Sequence, residues 1–236
     1  MSLGLTRRSV PTPRVAAPAP WRDKARDPIL TALAVFLALV TFVYAPMRAA
    51  NILTSNALNI SLWLLMVAAV IVLSRHLVPV LAALVAFAPN LAFALLPFSD
   101  SSLLAAAFLR VGSAVLLMAT LIVVVGHAVF AAGQVTYHRI LGAIVLYMAI
   151  ATMFTGAYEL VALFVTDAFA GPAGGGAPGS FMYFSYVTLT STGYGDIAPV
   201  HPMARSLANF EAVIGQLYPA TVLARIVTLH GSPMRR

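Results

Sequence analysis

Cysteine is absent from the 236 residues, which excludes disulfide bridges and thiolate metal sites. Charge is scarce as well. Asp and Glu together number seven, and charged residues of both signs make up 9% of the chain, against roughly 25% in an ordinary soluble domain. So few charges leave a soluble fold no means of covering the 61% of residues that are apolar. A mean hydropathy of +0.94 and long apolar runs describe a membrane protein instead. No phosphate loop, nucleophile motif or other catalytic constellation is present, so no enzyme and no small-molecule substrate are expected. His76, His127, His138 and His230 have no metal-ligand spacing with one another, and no cofactor is expected.

The net charge of +7 does not read as nucleic-acid binding, because of where the charge sits. Six of the fourteen basic residues (Arg7, Arg8, Arg14, Arg22, Lys24 and Arg26) fall in the first 26 positions. A basic stretch before the first apolar run is an orientation signal. Prolines 11, 13, 18 and 20, and no apolar core before Ile29, argue against a signal peptide. Residues 1–27 read as a disordered basic cytoplasmic tail. It either touches anionic lipid headgroups or only sets topology.

Six apolar segments follow. They run from Ile29 to Ala45, fenced by Pro28 and Pro46; Ala57 to Leu73; Leu77 to Leu96, with a kink expected at Pro89-Asn90; Ser102 to Phe130; Ile140 to about Phe169; and Met203 to Leu229. About 20 residues are needed to cross the hydrocarbon core. The first two are slightly short, and the fourth and fifth are long enough to tilt. The expected class is therefore an all-α membrane protein of six transmembrane helices. Residues 28–132 form a four-helix bundle and 133–236 a second unit. With an even number of spans, the N-terminal tail, Arg75, Arg139, Arg235 and Arg236 share one side; Arg48, Arg205, Asp100, Asp167 and Asp196 share the other. The basic excess marks the first side, with both termini, as cytoplasmic.

Between the fifth and sixth segments, Gly171 to Gly179 has the composition of a flexible loop. Ser180 to Leu189 then forms a run too short to cross a membrane, read as a half-helix entering from outside with Ser180 as its cap. At membrane depth such a segment needs protein or a water path around it. Directly after it stands Thr190-Ser191-Thr192-Gly193-Tyr194-Gly195-Asp196. Successive carbonyls turned one way can replace the water shell of a dehydrated cation. Gly193 and Gly195 reach the required backbone angles without a Cβ penalty. The negative C-terminal end of the half-helix favours a cation below.

This segment resembles the filter of the potassium channel family, Thr-Val-Gly-Tyr-Gly-Asp. Ser191 stands where the family has threonine and Thr192 where valine or isoleucine is usual; Gly193, Tyr194, Gly195 and Asp196 match. The resemblance implies a selectivity filter between helices 5 and 6, behind a re-entrant pore helix. It implies K+ bound by the carbonyls of Ser191, Thr192, Gly193 and Tyr194, with the Ser191 hydroxyl at the innermost site and Thr190 at the cavity mouth. Permeant K+ is then the only ion needed. Tyr194 is expected to point away from the pore and brace the filter. Tyr183 and Phe184 occupy the places of an aromatic pair that forms a cuff around it. Arg205 lies near a family arginine at the start of the inner helix. Gly215 stands at the position of the hinge glycine, and Pro219 one turn later can also bend that helix. The resemblance covers residues 136–230. His138-Arg139-Ile140 with Gly142-Ala143-Ile144 is further similar to a group of bacterial six-span channels.

The remaining charges refine this expectation. The fourth segment carries only Arg110 and His127, without the repeated arginines of a steep voltage sensor, so the first four helices read as a degenerate sensor-like scaffold. Arg110 either snorkels or pairs with Asp100 or Glu159. Glu211, inside the sixth segment, is costly unless it meets water or a partner. It either faces the inner cavity or the back of the filter, tuning occupancy or gating, or is hydrogen-bonded behind the pore helix. His201 either modulates current by titrating near neutral pH or is a surface residue without a role. One filter per chain requires four chains, hence a homotetramer in contact with membrane lipid. The expected function is passive K+ conduction across a plasma membrane, a bacterial inner membrane by its compact form. A weakly selective cation channel and a non-conducting scaffold or regulatory subunit stay open.

Overall fold

The computed structural model describes residues 20–50, 52, 56–74, 76–95, 103–130, 137–171 and 179–230. These form helices α1 (Pro20–Leu39), α2 (Ala45–Ala49), α3 (Asn56–Leu73), α4 (Leu77–Leu95), α5 (Leu103–Phe130), α6 (Tyr137–Phe164), α7 (Ser180–Leu189) and α8 (Pro202–His230). Two short strands, β1 (Phe169–Ala170) and β2 (Ala198–Pro199), pair antiparallel with Phe169 opposite Pro199 and Ala170 opposite Ala198.

The organising element is α6. Helices α1, α5, α7 and α8 all pack on it, and its buried residues Val145, Leu146, Ala149, Phe154 and Tyr158 run through the middle of the core. Small residues bring α5 close. A Cβ at Gly142 would come within 2.7 Å of Val129, and one at Gly156 within 2.7 Å of Val115. Lipid chains are as apolar as leucine, so packing of this kind, rather than water exclusion, holds such helices together.

Among the described residues three helices are long and apolar enough to cross a membrane: Pro28–Met47, Leu104–Phe130 and Arg139–Phe164. Trp63–Leu73 and Leu77–Ala92 are shorter apolar helices. The final helix α8 has 29 residues and interrupts its apolar run with Arg205, Glu211, Gln216 and Arg225. Length and composition thus mark three spans, where the apolar runs of the sequence were read as six.

Several boundaries differ from the sequence reading. Of the tail expected to be disordered, residues 20–27 are helical, and α1 runs on through Pro28. Pro20 takes the first helical position, where its missing N–H has no intrahelical partner to lose. Pro46 does not end this helix. A π-turn at Val40–Tyr44 precedes it, with the Ala45 N–H bonded to the Val40 carbonyl, a wider ladder that absorbs the irregularity. The fifth segment stops at Phe164 instead of Phe169, because Val165 to Ala168 turn the chain into β1 and Asp167 adopts φ +57°. The predicted kink region keeps helical form through Pro89. There the Asn90 side chain donates to the Ala86 carbonyl (3.0 Å) and to Ser113 Oγ on α5 (2.8 Å). Arg110 pairs with Glu159 of α6 at 4.0 Å, with both side chains about 40% exposed. The tail residues 1–19, the 172–178 loop, Asp100, and the orienting charges Arg75, Arg235 and Arg236 lie outside the described residues.

Candidate functional site

Helix α7 has the bounds that its sequence implied, but its cap is different. Gly179 occupies the N-cap at φ +84° without a side-chain bond, a left-handed position that glycine takes without a Cβ clash. Ser180 is the first helical residue. Phe181, Phe184, Ser185 and Leu189 are buried, the three-and-four spacing of a single helical face. Phe184 packs edge-on against Tyr158 (4.9 Å) and Phe169 (5.6 Å). It therefore belongs to an aromatic cluster with Tyr158 and Phe169. Tyr183, on the exposed side, stacks on Tyr194 with ring centroids 6.3 Å apart and planes 6° from parallel. Tyr194 remains 71% exposed in the single chain. The α1 side is tied in by Tyr186 OH, 3.1 Å from Thr41 Oγ1 in the π-turn.

At the C-terminal end of α7 the backbone doubles back on the helix. The Thr192 and Gly193 N–H groups both reach the Val187 carbonyl, at 2.8 and 3.2 Å, and the Ser191 N–H reaches Thr188. Thr190 Oγ1 donates to the Tyr186 carbonyl and lies 2.9 Å from Thr192 Oγ1. Ser191, Gly193 and Gly195 have φ of +56°, +55° and +81°. Thr192 and Tyr194 do not, so the hand of the backbone alternates at every residue from 191 to 195. Two of the three left-handed positions are glycine. Holding Ser191 there costs about 1–2 kcal/mol, and a neighbour secures it: Gln216 Nε2 donates to Ser191 Oγ at 2.6 Å. All residues from Thr190 to Asp196 are exposed in the single chain.

A buried carboxyl joins three helices behind this segment. Glu211 of α8 has no exposed surface. Tyr158 OH of α6 donates to its Oε2 at 2.5 Å, and Ser185 Oγ of α7 lies 2.5 Å from its Oε1. Ser185 Oγ also lies 2.7 Å from the Ala151 carbonyl, and its single proton serves one acceptor at a time. This is the arrangement behind the short helix, not the one facing a cavity. Burial of a carboxyl is tolerable when such donors satisfy it.

Gly215 stands one turn further along α8. A Cβ there would fall 1.9 Å from the Leu189 carbonyl oxygen and 2.7 Å from its carbon. Its glycine has a packing reason, independent of any hinge, since α8 touches the last turn of α7 backbone to side. The same carbonyl accepts from Tyr147 OH at 3.2 Å. Pro219 lies inside α8 and has no N–H to offer the Gly215 carbonyl.

The far end of the segment is pinned by the β1–β2 pair. Gly171, at φ +113°, passes so close to the Asp196 carbonyl that a Cβ would overlap it. Arg205 Nε donates to the Pro199 carbonyl at 3.1 Å. His201 Nδ1 accepts from the Met203 N–H at 3.3 Å, a side-chain contact at the start of α8.

Sequence reasoning singled out the 190–196 segment, Tyr183, Arg205, Gly215 and Glu211, and the fold brings these into one region. It missed Gln216, Tyr158, Ser185 and Gly171. The spacing Glu211–Gly215 carried a usable signal, because an acid and a small residue at i and i+4 lie on one helix face; nothing local pointed to Gln216.

No curated protein and no solved structure shows significant similarity to the chain. Residues 158–230, from the second half of α6 through α8, match the family model described as ion channel. That stretch contains the 190–196 segment and the Glu211 cluster, and the match supports an ion channel family for this membrane-type chain.

Proposed function

We propose that the chain is one subunit of a homotetrameric potassium-selective channel that conducts K+ passively across a plasma membrane. In this reading α7 is a re-entrant pore helix and Thr190–Asp196 the filter. K+ is coordinated by the carbonyls of Ser191, Thr192, Gly193 and Tyr194, with the Ser191 hydroxyl innermost. The observation that carries the reading is the alternating backbone hand from Ser191 to Gly195, directly after the C-terminal end of a ten-residue helix. Such alternation lets successive carbonyls share a side, and the helix end favours a cation. The ion-channel match spans this same region.

Fourfold assembly fits the surface that a single chain leaves uncovered. Met203, Phe210 and Leu217 recur every seven residues on α8 and are 56–60% exposed, and the filter segment is exposed as well. A shared face of this kind is buried by a neighbouring copy in a symmetric oligomer. Helices α1 to α5 act as a scaffold without a steep voltage response, since Arg110 is paired with Glu159 rather than set in a ladder. In this reading the two shorter apolar helices and α8 cross the membrane together with the three long spans, and the resulting six crossings place both termini in the cytoplasm.

The test is ion flux through the purified protein in liposomes. Potassium flux that barium stops, with little sodium flux, is the expected result. Equal flux of both ions would favour a weakly selective pore, for which the Ser191 and Thr192 departures are the specific grounds. No flux from an intact oligomer would favour a non-conducting scaffold.

Gln216→Leu offers a finer check. It removes the bond that holds Ser191 in its left-handed conformation, about 1 kcal/mol for a neutral hydrogen bond. Barium is expected to block roughly fivefold less tightly, with the potassium-to-sodium ratio lowered. Block unchanged from the natural sequence would remove Ser191 from the innermost site.

A further inference from the structure

Three short oxygen contacts meet at Glu211. Tyr158 OH lies 2.5 Å from Oε2, Ser185 Oγ lies 2.5 Å from Oε1, and Ser185 Oγ lies 2.7 Å from the Ala151 carbonyl oxygen. Each has the length of an O–H···O bond, about 2.5–3.0 Å, and each such bond holds one proton. Tyr158 supplies the first. Ser185 has a single proton for the other two contacts. A carbonyl cannot donate, so the contact with Ala151 takes the Ser185 proton. Thr155 Oγ1 reaches the same carbonyl at 3.0 Å, but sharing of that acceptor supplies no further proton to Ser185. The contact between Ser185 Oγ and Glu211 Oε1 then takes its proton from the carboxyl itself. With Glu211 ionised, one of these oxygen pairs would meet lone pair to lone pair.

The surroundings agree. Glu211 has no exposed surface, and a buried carboxylate needs a cation beside it. Among the described residues its partners include no basic side chain. Helix α6 presents Tyr158 and, farther off, Tyr147, while its Glu159 pairs with Arg110 of α5. Helix α7 presents Ser185; its Tyr183 stacks on Tyr194 and its Tyr186 reaches Thr41. Strand β2 has no titratable side chain. On α8 itself, Arg205 donates to the Pro199 carbonyl.

We infer that Glu211 is a neutral carboxylic acid whose proton clamps α8 to α7, and that removal of this proton is a switch that shuts the pore. Glu211 donates to Ser185, Ser185 donates to Ala151, and Tyr158 donates back to Glu211, so one proton ties α8, α7 and α6 together. When it passes to water, the carboxylate is satisfied only if Ser185 turns its O–H away from Ala151 or α8 moves off. Either change shifts α7, which runs directly into the 190–196 segment and whose last residue, Leu189, lies against Gly215. The proton count rests on the packing alone; the switch rests on the channel reading.

Infrared spectroscopy of the purified full chain tests the proton without ion flux. At about pH 6 exposed carboxyls are ionised, and the chain has only seven Asp and Glu. A C=O band of a protonated acid is expected, shifted by exchange into D2O and absent from Glu211→Gln. Tyr158→Phe keeps the acid, frees Oε2 and is expected to raise the frequency of the band, so the test stands even if Glu211→Gln does not assemble. No band, or a band that survives in Glu211→Gln, would overturn the inference. Liposome flux from about pH 6 to about pH 9, below the ordinary range of tyrosine, tests the switch. The natural sequence is expected to lose at least roughly tenfold in flux, the factor given by one pH unit beyond the midpoint of an acid. Glu211→Gln carries an N–H in place of the acid proton, cannot ionise, and is expected to keep its flux. The same pH response in both would overturn the switch. If the chain conducts nothing, melting over the same range decides. A folded state that holds a proton the unfolded chain has lost becomes less stable as pH rises. That loss is expected in the natural sequence and not in Glu211→Gln, and equal melting profiles would overturn the inference.

Discussion

Gly215→Ala is expected to abolish potassium flux and to destabilise the protein by more than an ordinary core substitution. The added carbon has no room, since it would lie 1.9 Å from the Leu189 carbonyl oxygen and 3.0 Å from the Leu189 Cα. Both are backbone atoms, so no rotamer change relieves the overlap. Leu189 is fully buried and its carbonyl is held by Tyr147, so α7 cannot retreat alone. Helix α8 must withdraw from the last turn of α7, and Thr190 and Ser191 move with it. Overpacking of this kind costs about 1–3 kcal/mol or more. Melting of the purified protein and liposome flux measure the two effects together. Gly112→Ala on α5 is the control, since a Cβ there meets nothing within 4 Å and alanine gains about 0.5–1 kcal/mol over glycine inside a helix. The hinge role makes a different prediction: altered open probability at an unchanged melting temperature. A lowered melting temperature with flux lost assigns Gly215 to packing against the last turn of α7.

Glu211→Ala is the second large effect, with a loss on the order of 3 kcal/mol. Two contributions combine: Tyr158, itself fully buried, keeps a phenol without its acceptor, at about 1–3 kcal/mol, and the deleted side chain leaves a cavity. Glu211→Gln separates bonding from charge. Its amide oxygen still accepts from Tyr158 and its NH2 donates to Ser185 Oγ, so it is expected to lose less than half as much. A double-mutant cycle with Tyr158→Phe should return a coupling of about 0.5–3 kcal/mol, as groups in direct contact do. If Glu211→Gln and Glu211→Ala lose stability equally, the carboxyl acts through its charge instead. If neither loses any, the cluster does not hold α6, α7 and α8 together. Conductance measured on Glu211→Gln then reports on tuning of the pore, because its fold is expected to survive.

Both predictions depend on contacts across helices, and that is where sequence and structure part. Helices α3, α5, α7 and α8 begin and end within a residue or two of their apolar runs, because chain-local hydropathy and turn residues set those limits. The 190–196 segment was legible for the same reason. Its two glycines serve the backbone positions they occupy, and both have the positive φ that only glycine adopts freely. Ser191 at φ +56° was not legible, since nothing local demands it and Gln216, 25 residues away, secures it.

The sequence by itself determined that this is a membrane-type chain, that a short helix precedes a glycine-paired turn, and that an acid lies within an apolar helix. Each follows from composition or from neighbours along the chain. Only the tertiary structure decided that Glu211 meets Tyr158 and Ser185, that Arg110 pairs with Glu159, that Phe184 packs on Tyr158 and Phe169, and that Leu189 lies against Gly215. Those facts depend on which faces of α6, α7 and α8 meet. Helix periodicity states that a face exists, while the partner across it is chosen by the packing of the whole core.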